Sequence, residues 1–226
     1  MIKFEKVSKK FYTDVFVLEG INLKVEKGEF AFVVGPTGSG KTTLLRLLIR
    51  DLLPTQGKVF VEDWDLARLP HSKIPALRKK IGVVFQDLKL LMDRTVFENV
   101  ALALEVGGVK EEKIKSKVEE VLKLVGLEKH LVKFPLELSG GELQRTAIAR
   151  ALVGEPEVLL ADEPTGNLDL ETSWEIVKLF EELNKKGTTI IMATHNVDIV
   201  NNLGRRVIAL EKGKLTRDEK KGKYAA

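Results

Sequence analysis

The chain has no cysteine among its 226 residues. That excludes a disulfide framework, a Cys-ligated zinc or iron–sulfur site and a thiol nucleophile. With only three histidines, a multi-His metal site is not expected. No apolar run approaches the roughly 20 residues that cross a bilayer. The first residues, Met1-Ile2-Lys3-Phe4-Glu5, lack the basic-then-apolar pattern of a signal peptide. Any membrane role is therefore expected to run through a partner. The net charge of +4 is a mild bias, too small to argue for nucleic acid as a partner.

What is present is globular: 44% hydrophobic and 31% charged residues suit a solvated surface around a large core. The length fits one α/β domain with room for an inserted subdomain. Apolar runs predict strands at 2–7, 21–25, 30–34, 57–61, 81–85, 158–161 and 188–193. Helices are expected at 42–53, ending before Pro54, and at 170–186, ending at Gly187. Residues 88–140 change character and predict a helical subdomain with helices at 95–106 and 111–125. In the second, Ile114, Val118, Val121, Leu122 and Val125 share one face. The flanks, 1–87 and 141–216, would form the core. The tail from Lys212 is charged, contains Lys220, Lys221 and Lys223, and is expected to fray.

Gly35-Pro36-Thr37-Gly38-Ser39-Gly40-Lys41-Thr42, followed by Thr43, fits a phosphate-binding loop between a strand and a helix. Glycines let backbone N–H groups turn around phosphate oxygens, and the following helix points its positive end at the same anion. Lys41 would place an ammonium on the β/γ-phosphates of ATP, and Thr42 a hydroxyl on Mg²⁺. The strand at 158–161 runs into Asp162 and Glu163. Ligand sites in parallel sheets lie at such carboxyl ends. Asp162 would hold Mg²⁺, and Glu163 would polarise the attacking water.

Leu138-Ser139-Gly140-Gly141-Glu142-Leu143-Gln144-Arg145 resembles the signature motif of the ABC family of ATPases. With it come Gln86 after a strand, Gly166-Asn167-Leu168-Asp169 and His195 after a strand, in that family's order. The resemblance spans residues 1–216 and implies the P-loop ABC ATPase fold, α/β, a mixed β core with an inserted helical subdomain and an antiparallel β subdomain. It also implies ATP hydrolysis by a homodimer. Ser139, Gly140 and Gly141 of one chain would cap the γ-phosphate held by the other chain's phosphate loop. Ser139 is also a candidate helix N-cap, with Glu142 closing a capping box. By resemblance, Gln86 senses Mg²⁺ and the water, His195 contacts the γ-phosphate, and Asp169 lies at the dimer interface while capping a helix. Phe11 stands where the family stacks an aromatic on adenine, with Tyr12 as the adjacent alternative.

Finer matches point to a branch. Phe85-Gln86-Asp87, Leu90-Leu91, Asp93-Arg94-Thr95-Val96 and Glu98-Asn99-Val100-Ala101 resemble the FtsE family of cell-division ATPases. Asp162 to Asp169 is shared with ATPases of lipoprotein-release and macrolide exporters, which remain the alternative. Leu88 and Phe11 depart from a common Phe and a common Tyr, keeping apolar character. The resemblance implies an integral membrane partner of the FtsX type, docking near Gln86 to Val106, and a peripheral place on the cytoplasmic face of the plasma membrane. Leu88, Leu90, Leu91 and Met92 are candidate contacts for that partner, or else core of the helical subdomain.

Overall fold

Two sheets organise the chain, which was analysed as a computed structural model describing residues 1–11 and 15–224. Strands β1 (Ile2–Lys10) and β2 (Phe16–Val25) form an antiparallel pair. Strand β3 (Phe30–Val34) leads into helix α1 (Lys41–Leu48). Then come β4 (Gln56–Val61), β5 (Trp64–Asp65), α2 (Ile74–Lys79) and β6 (Ile81–Val84). Helices α3 (Val96–Val106), α4 (Glu111–Leu124) and α5 (Gly140–Leu152) follow. The rest is β7 (Val158–Asp162), α6 (Leu170–Lys185), β8 (Thr189–Ala193), α7 (Val197–Leu203), β9 (Arg206–Glu211) and β10 (Lys214–Glu219). The antiparallel sheet has the order β2-β1-β4-β5, and the main sheet β10-β9-β3-β8-β7-β6. The main sheet is parallel from β9 to β6, with β10 antiparallel at one edge.

Strands β3, β7 and β8 are buried throughout, as expected where both faces are covered. Their alternation sorts side chains into two cores. Phe30, Phe32, Val34, Leu159, Ala161, Ile190 and Met192 face the helical layer, with Ile148, Ile176 and Phe180. Ala31, Val33, Val158, Leu160, Ile191 and Ala193 face the other side, with Leu44 and Leu48 of α1 and the antiparallel sheet. All three central strands therefore deliver their carboxyl ends to one rim. The residues 88–140 contain α3 and α4, and α5 packs on both α3 and β6. Core and insertion thus share one helix.

Two expectations are corrected. The helix expected to reach residue 53 ends at Leu48. Arg50 adopts a left-handed φ of 51°, and the Asp51 and Leu52 N–H groups both turn back to the Arg46 carbonyl. The charged tail does not fray: Lys214 to Glu219 pairs with β9. Arg206 grips both carboxylate oxygens of Asp218 at 2.7 Å and reaches Glu29 at 2.9 Å.

Candidate functional site

The rim of the main sheet gathers the phosphate-loop residues. Gly35 has φ 144°, Gly38 φ 80° and Gly40 φ 105°, conformations that side chains resist. Close approach adds a second constraint. A Cβ on Gly35 would lie 2.1 Å from the Leu210 carbonyl oxygen, and one on Gly40 would lie 2.6 Å from Leu18. The loop is thereby pressed onto β9 and onto the start of β2. Pro36 and Thr37 form its outer turn, where the Ser39 N–H donates to the Pro36 carbonyl at 3.1 Å. Lys41 and its neighbours Thr42 and Thr43 open α1, so their N–H groups face the loop without helical partners. The buried Lys41 ammonium donates to the Gly35 carbonyl at 2.8 Å and the Pro36 carbonyl at 3.3 Å, which centres it over the loop. The Ser39 hydroxyl is buried without a hydrogen-bond partner.

Across the rim, Asp162 ends β7 and Glu163 follows with a left-handed φ of 49°. Such backbone strain in a non-glycine residue concentrates at functional sites. The Glu163 N–H donates to the Ala193 carbonyl at 2.9 Å, tying the bend to β8. Its Oε2 lies 2.9 Å from His195 Nδ1 and accepts the His195 N–H at 3.3 Å, while its Oε1 lies 3.9 Å from Lys41 Nζ. The structure thus joins Lys41, Glu163 and His195 in one cluster. Asp162 is buried, and its pKa is pushed up first by desolvation and then by the Glu163 charge, against the pull of the Thr42 hydroxyl hydrogen bond. Its Oδ1 has no hydrogen-bond partner. A buried, orphaned carboxylate oxygen beside a hydroxyl is a donor set that fits Mg²⁺.

Gln86 lies two residues past β6 and is exposed; next to it, Asp87 is close enough to raise the Asp162 pKa. Phe11 is 43% exposed after β1, with the Lys9 ammonium over its ring at 5.3 Å from the centroid. The alternative, Tyr12, lies outside the described residues. The signature stands apart. Among the described residues, no hydrogen bond or ion pair joins Ser139, Gly140 or Gly141 to the phosphate loop. Ser139 caps α5 with Glu142 in a capping box, and Glu142 Oε1 sits 2.9 Å from His130 Nε2. Asp169 caps α6, accepting the Thr172 N–H at 2.9 Å. Of the apolar candidates after Gln86, Leu91 and Met92 are exposed, whereas Leu88 and Leu90 are half-buried.

Sequence reasoning missed Arg150. Its guanidinium donates to the carbonyls of Leu88 and Lys89, each at 2.6 Å, and both residues have left-handed φ. Arg150 carries no local signal, since its partners are far away in the chain.

A family described as ABC transporter matches residues 18–166. The cell division ATP-binding protein FtsE of Bacillus subtilis is 51% identical over 226 residues, covering 100% of this chain and 99% of the relative. FtsE of Mycobacterium tuberculosis is 50% identical, covering 99% and 98%, and that of Escherichia coli K12 45% identical, covering 95% and 97%. Among solved structures, a dimeric post-hydrolysis state of the ATP-binding cassette MJ0796 bound to ADP and phosphate superimposes with a TM-score of 0.90 at 35% identity, covering 98% and 99%. Motifs, sheet order, rim geometry and these likenesses agree, and the chain belongs to the ABC transporter family as an ATP-hydrolysing cassette most like FtsE.

Proposed function

We propose that this ATPase works as an ATP-bound homodimer that drives an integral membrane partner of the FtsX type in cell division, controlling peptidoglycan hydrolases from the cytoplasmic face of the membrane. The observation that carries the dimer is a half-built site. Lys41, Glu163 and His195 converge on one rim, while Ser139 and Gly140 lie exposed with nothing within 4 Å of a Cβ on Gly140. Gly35 to Thr43 would cradle the phosphates and Lys41 bind the β/γ oxygens. Phe11 would stack on adenine. Glu163 would take the water's proton, oriented by His195, which also meets the γ-phosphate. Thr42, Asp162 and Gln86 would hold Mg²⁺, which when bound neutralises charge on the phosphates. Ser139, Gly140 and Gly141 would close the partner's site with a hydroxyl, free N–H groups and a helix N-terminus.

The membrane partner is supported by the relatives' cell-division names and by a groove of about 810 Å³ between core and insertion. Ile74, Phe85, Leu102 and Val106 make it apolar, and Lys89 and Arg150 flank it. It runs beside the Gln86 segment, so an occupant can bear on the catalytic rim. Co-purification from membranes tests the reading. Leu102→Asp with Val106→Asp, both lining the groove, should lose the FtsX-type protein and keep ATP affinity. Retention of the partner by this double variant would contradict the docking surface.

A further inference from the structure

The turn between β9 and β10 reaches the phosphate loop. Glu211 pairs with Lys214, which leaves a two-residue hairpin loop, Lys212 and Gly213. Both have left-handed φ, 47° and 78°, as a tight hairpin between right-twisted strands demands. Gly213 is buried. In such a turn the second loop residue uses neither its N–H nor its C=O in the ladder, so a buried one needs partners elsewhere. Both partners are present. The Gly213 N–H donates to the Ser39 carbonyl at 3.2 Å, and the Gly213 carbonyl accepts the Glu19 N–H at 2.8 Å. One bond lands on the phosphate loop and the other on β2.

The packing is as close as the bonding. A Cβ on Gly213 would lie 2.6 Å from the Val17 carbonyl oxygen, and one on Gly40 would lie 2.8 Å from the same oxygen. The Val17 carbonyl is therefore where β2, the hairpin turn and the end of the phosphate loop meet. Ser39 sits between these contacts. Its N–H is tied to Pro36 and its carbonyl to Gly213, and its hydroxyl would stand 2.8 Å from a Cβ on Gly35. The same hairpin supplies the Leu210 carbonyl that lies against Gly35. The loop is thus braced at Gly35 and Ser39 by one hairpin, and at Gly40 by the strand to which that hairpin is bonded.

We propose that Gly213 is a positioning residue of the ATP site: the β9–β10 turn holds the Ser39 carbonyl and keeps the phosphate loop in the shape that receives phosphate. The proposal rests on ATP binding at Gly35 to Thr43. Such preorganisation lowers the ordering cost of binding, so its loss is read as affinity. Gly213→Ala strains the left-handed turn and drives a methyl onto the Val17 carbonyl, which the turn relieves by lifting away from Ser39. Calorimetry on the full chain should show ATP binding weakened about tenfold, the scale of one residue's backbone strain. Gly126→Ala is the control for strain alone, because its φ is 73° and nothing lies within 4 Å of a Cβ there. It should lower the melting temperature, as Gly213→Ala should, and keep ATP affinity. Wild-type affinity in Gly213→Ala beside a non-binding Lys41→Ala would overturn the brace and leave the site intact. Equal losses of affinity in Gly213→Ala and Gly126→Ala would also overturn the brace. Undiminished binding by Lys41→Ala would overturn the site and the brace with it. Amide hydrogen exchange in the wild-type chain tests the same link without a substitution. Because coupling between sites is reciprocal, ATP should slow exchange at 211–214, and unchanged exchange there would contradict the brace.

Discussion

The phosphate loop and the signature are both glycine-rich turns opening a helix, yet they are finished differently. The loop at Gly35 to Thr42 is pressed against β9 and β2, threaded by the Lys41 ammonium and faced by strained Glu163. Polar atoms here are left without partners, Ser39 Oγ in the loop and Asp162 Oδ1 at the end of β7. At the signature turn Ser139 and Glu142 bond each other and His130 Nε2 meets Glu142, while His130 Nδ1 and Gln144 Nε2 behind the turn are buried without partners. The turn is exposed and touches its own chain lightly, with Gly141 against Thr172. Orphaned oxygens gathered around a buried ammonium mark a pocket built for a ligand. A capped helix start with Ser139 and Gly140 exposed marks a surface built to be presented. The contrast is what a site divided between two chains requires.

The comparison can be broken first at the finished half. Glu163→Gln should keep ATP binding and lower turnover by at least about a hundredfold, the usual weight of a general base; single-turnover hydrolysis measures it. Lys41→Ala should abolish nucleotide binding by calorimetry, because no other described cation lies in the loop's mouth. Next comes the presented half. Ser139→Arg should bind ATP with unchanged affinity and lose ATP-dependent dimerisation, since a long cation blocks the lid without touching the chain's own loop. Loss of affinity in this variant would show that the signature serves its own chain.

Smaller effects separate stability from function. Asp162 is buried with its folded pKa raised, chiefly by desolvation. The folded state thus binds more protons than the unfolded one between the two pKa values. Stability from this group is full below the unfolded value and is lost as pH rises through the raised folded value. Asp162→Asn should therefore raise the melting temperature of the nucleotide-free protein at neutral pH by a few degrees (order of magnitude), while hydrolysis falls. An unchanged melting temperature would show that burial of this charge costs little. Ser139→Ala should cost about 1 kcal/mol through the lost N-cap, read by denaturant unfolding. Ser39→Ala should cost less, because its hydroxyl has no partner to lose.

Sequence patterns reached the elements whose signals are local. Phe30 to Val34 was legible to the residue because a strand covered on both faces is a continuous apolar run. The capping box at Ser139 was equally local. β10 was not legible, since Lys-Leu-Thr-Arg-Asp-Glu carries one apolar residue and owes its conformation to β9 and to the Arg206–Asp218 pair. Arg150 was missed for the same reason. It meets carbonyls about 60 residues away, contacts that no window of neighbouring residues contains.

The division of the site is tested most directly by the mass in solution of Glu163→Gln with Mg²⁺ and ATP, measured by light scattering with and without Ser139→Arg in the same chain. A site shared between chains predicts a dimer for Glu163→Gln and a monomer once Ser139→Arg is added, both with ATP bound. A Glu163→Gln chain that stays monomeric with ATP bound, while the wild-type monomer hydrolyses at full rate, would contradict it.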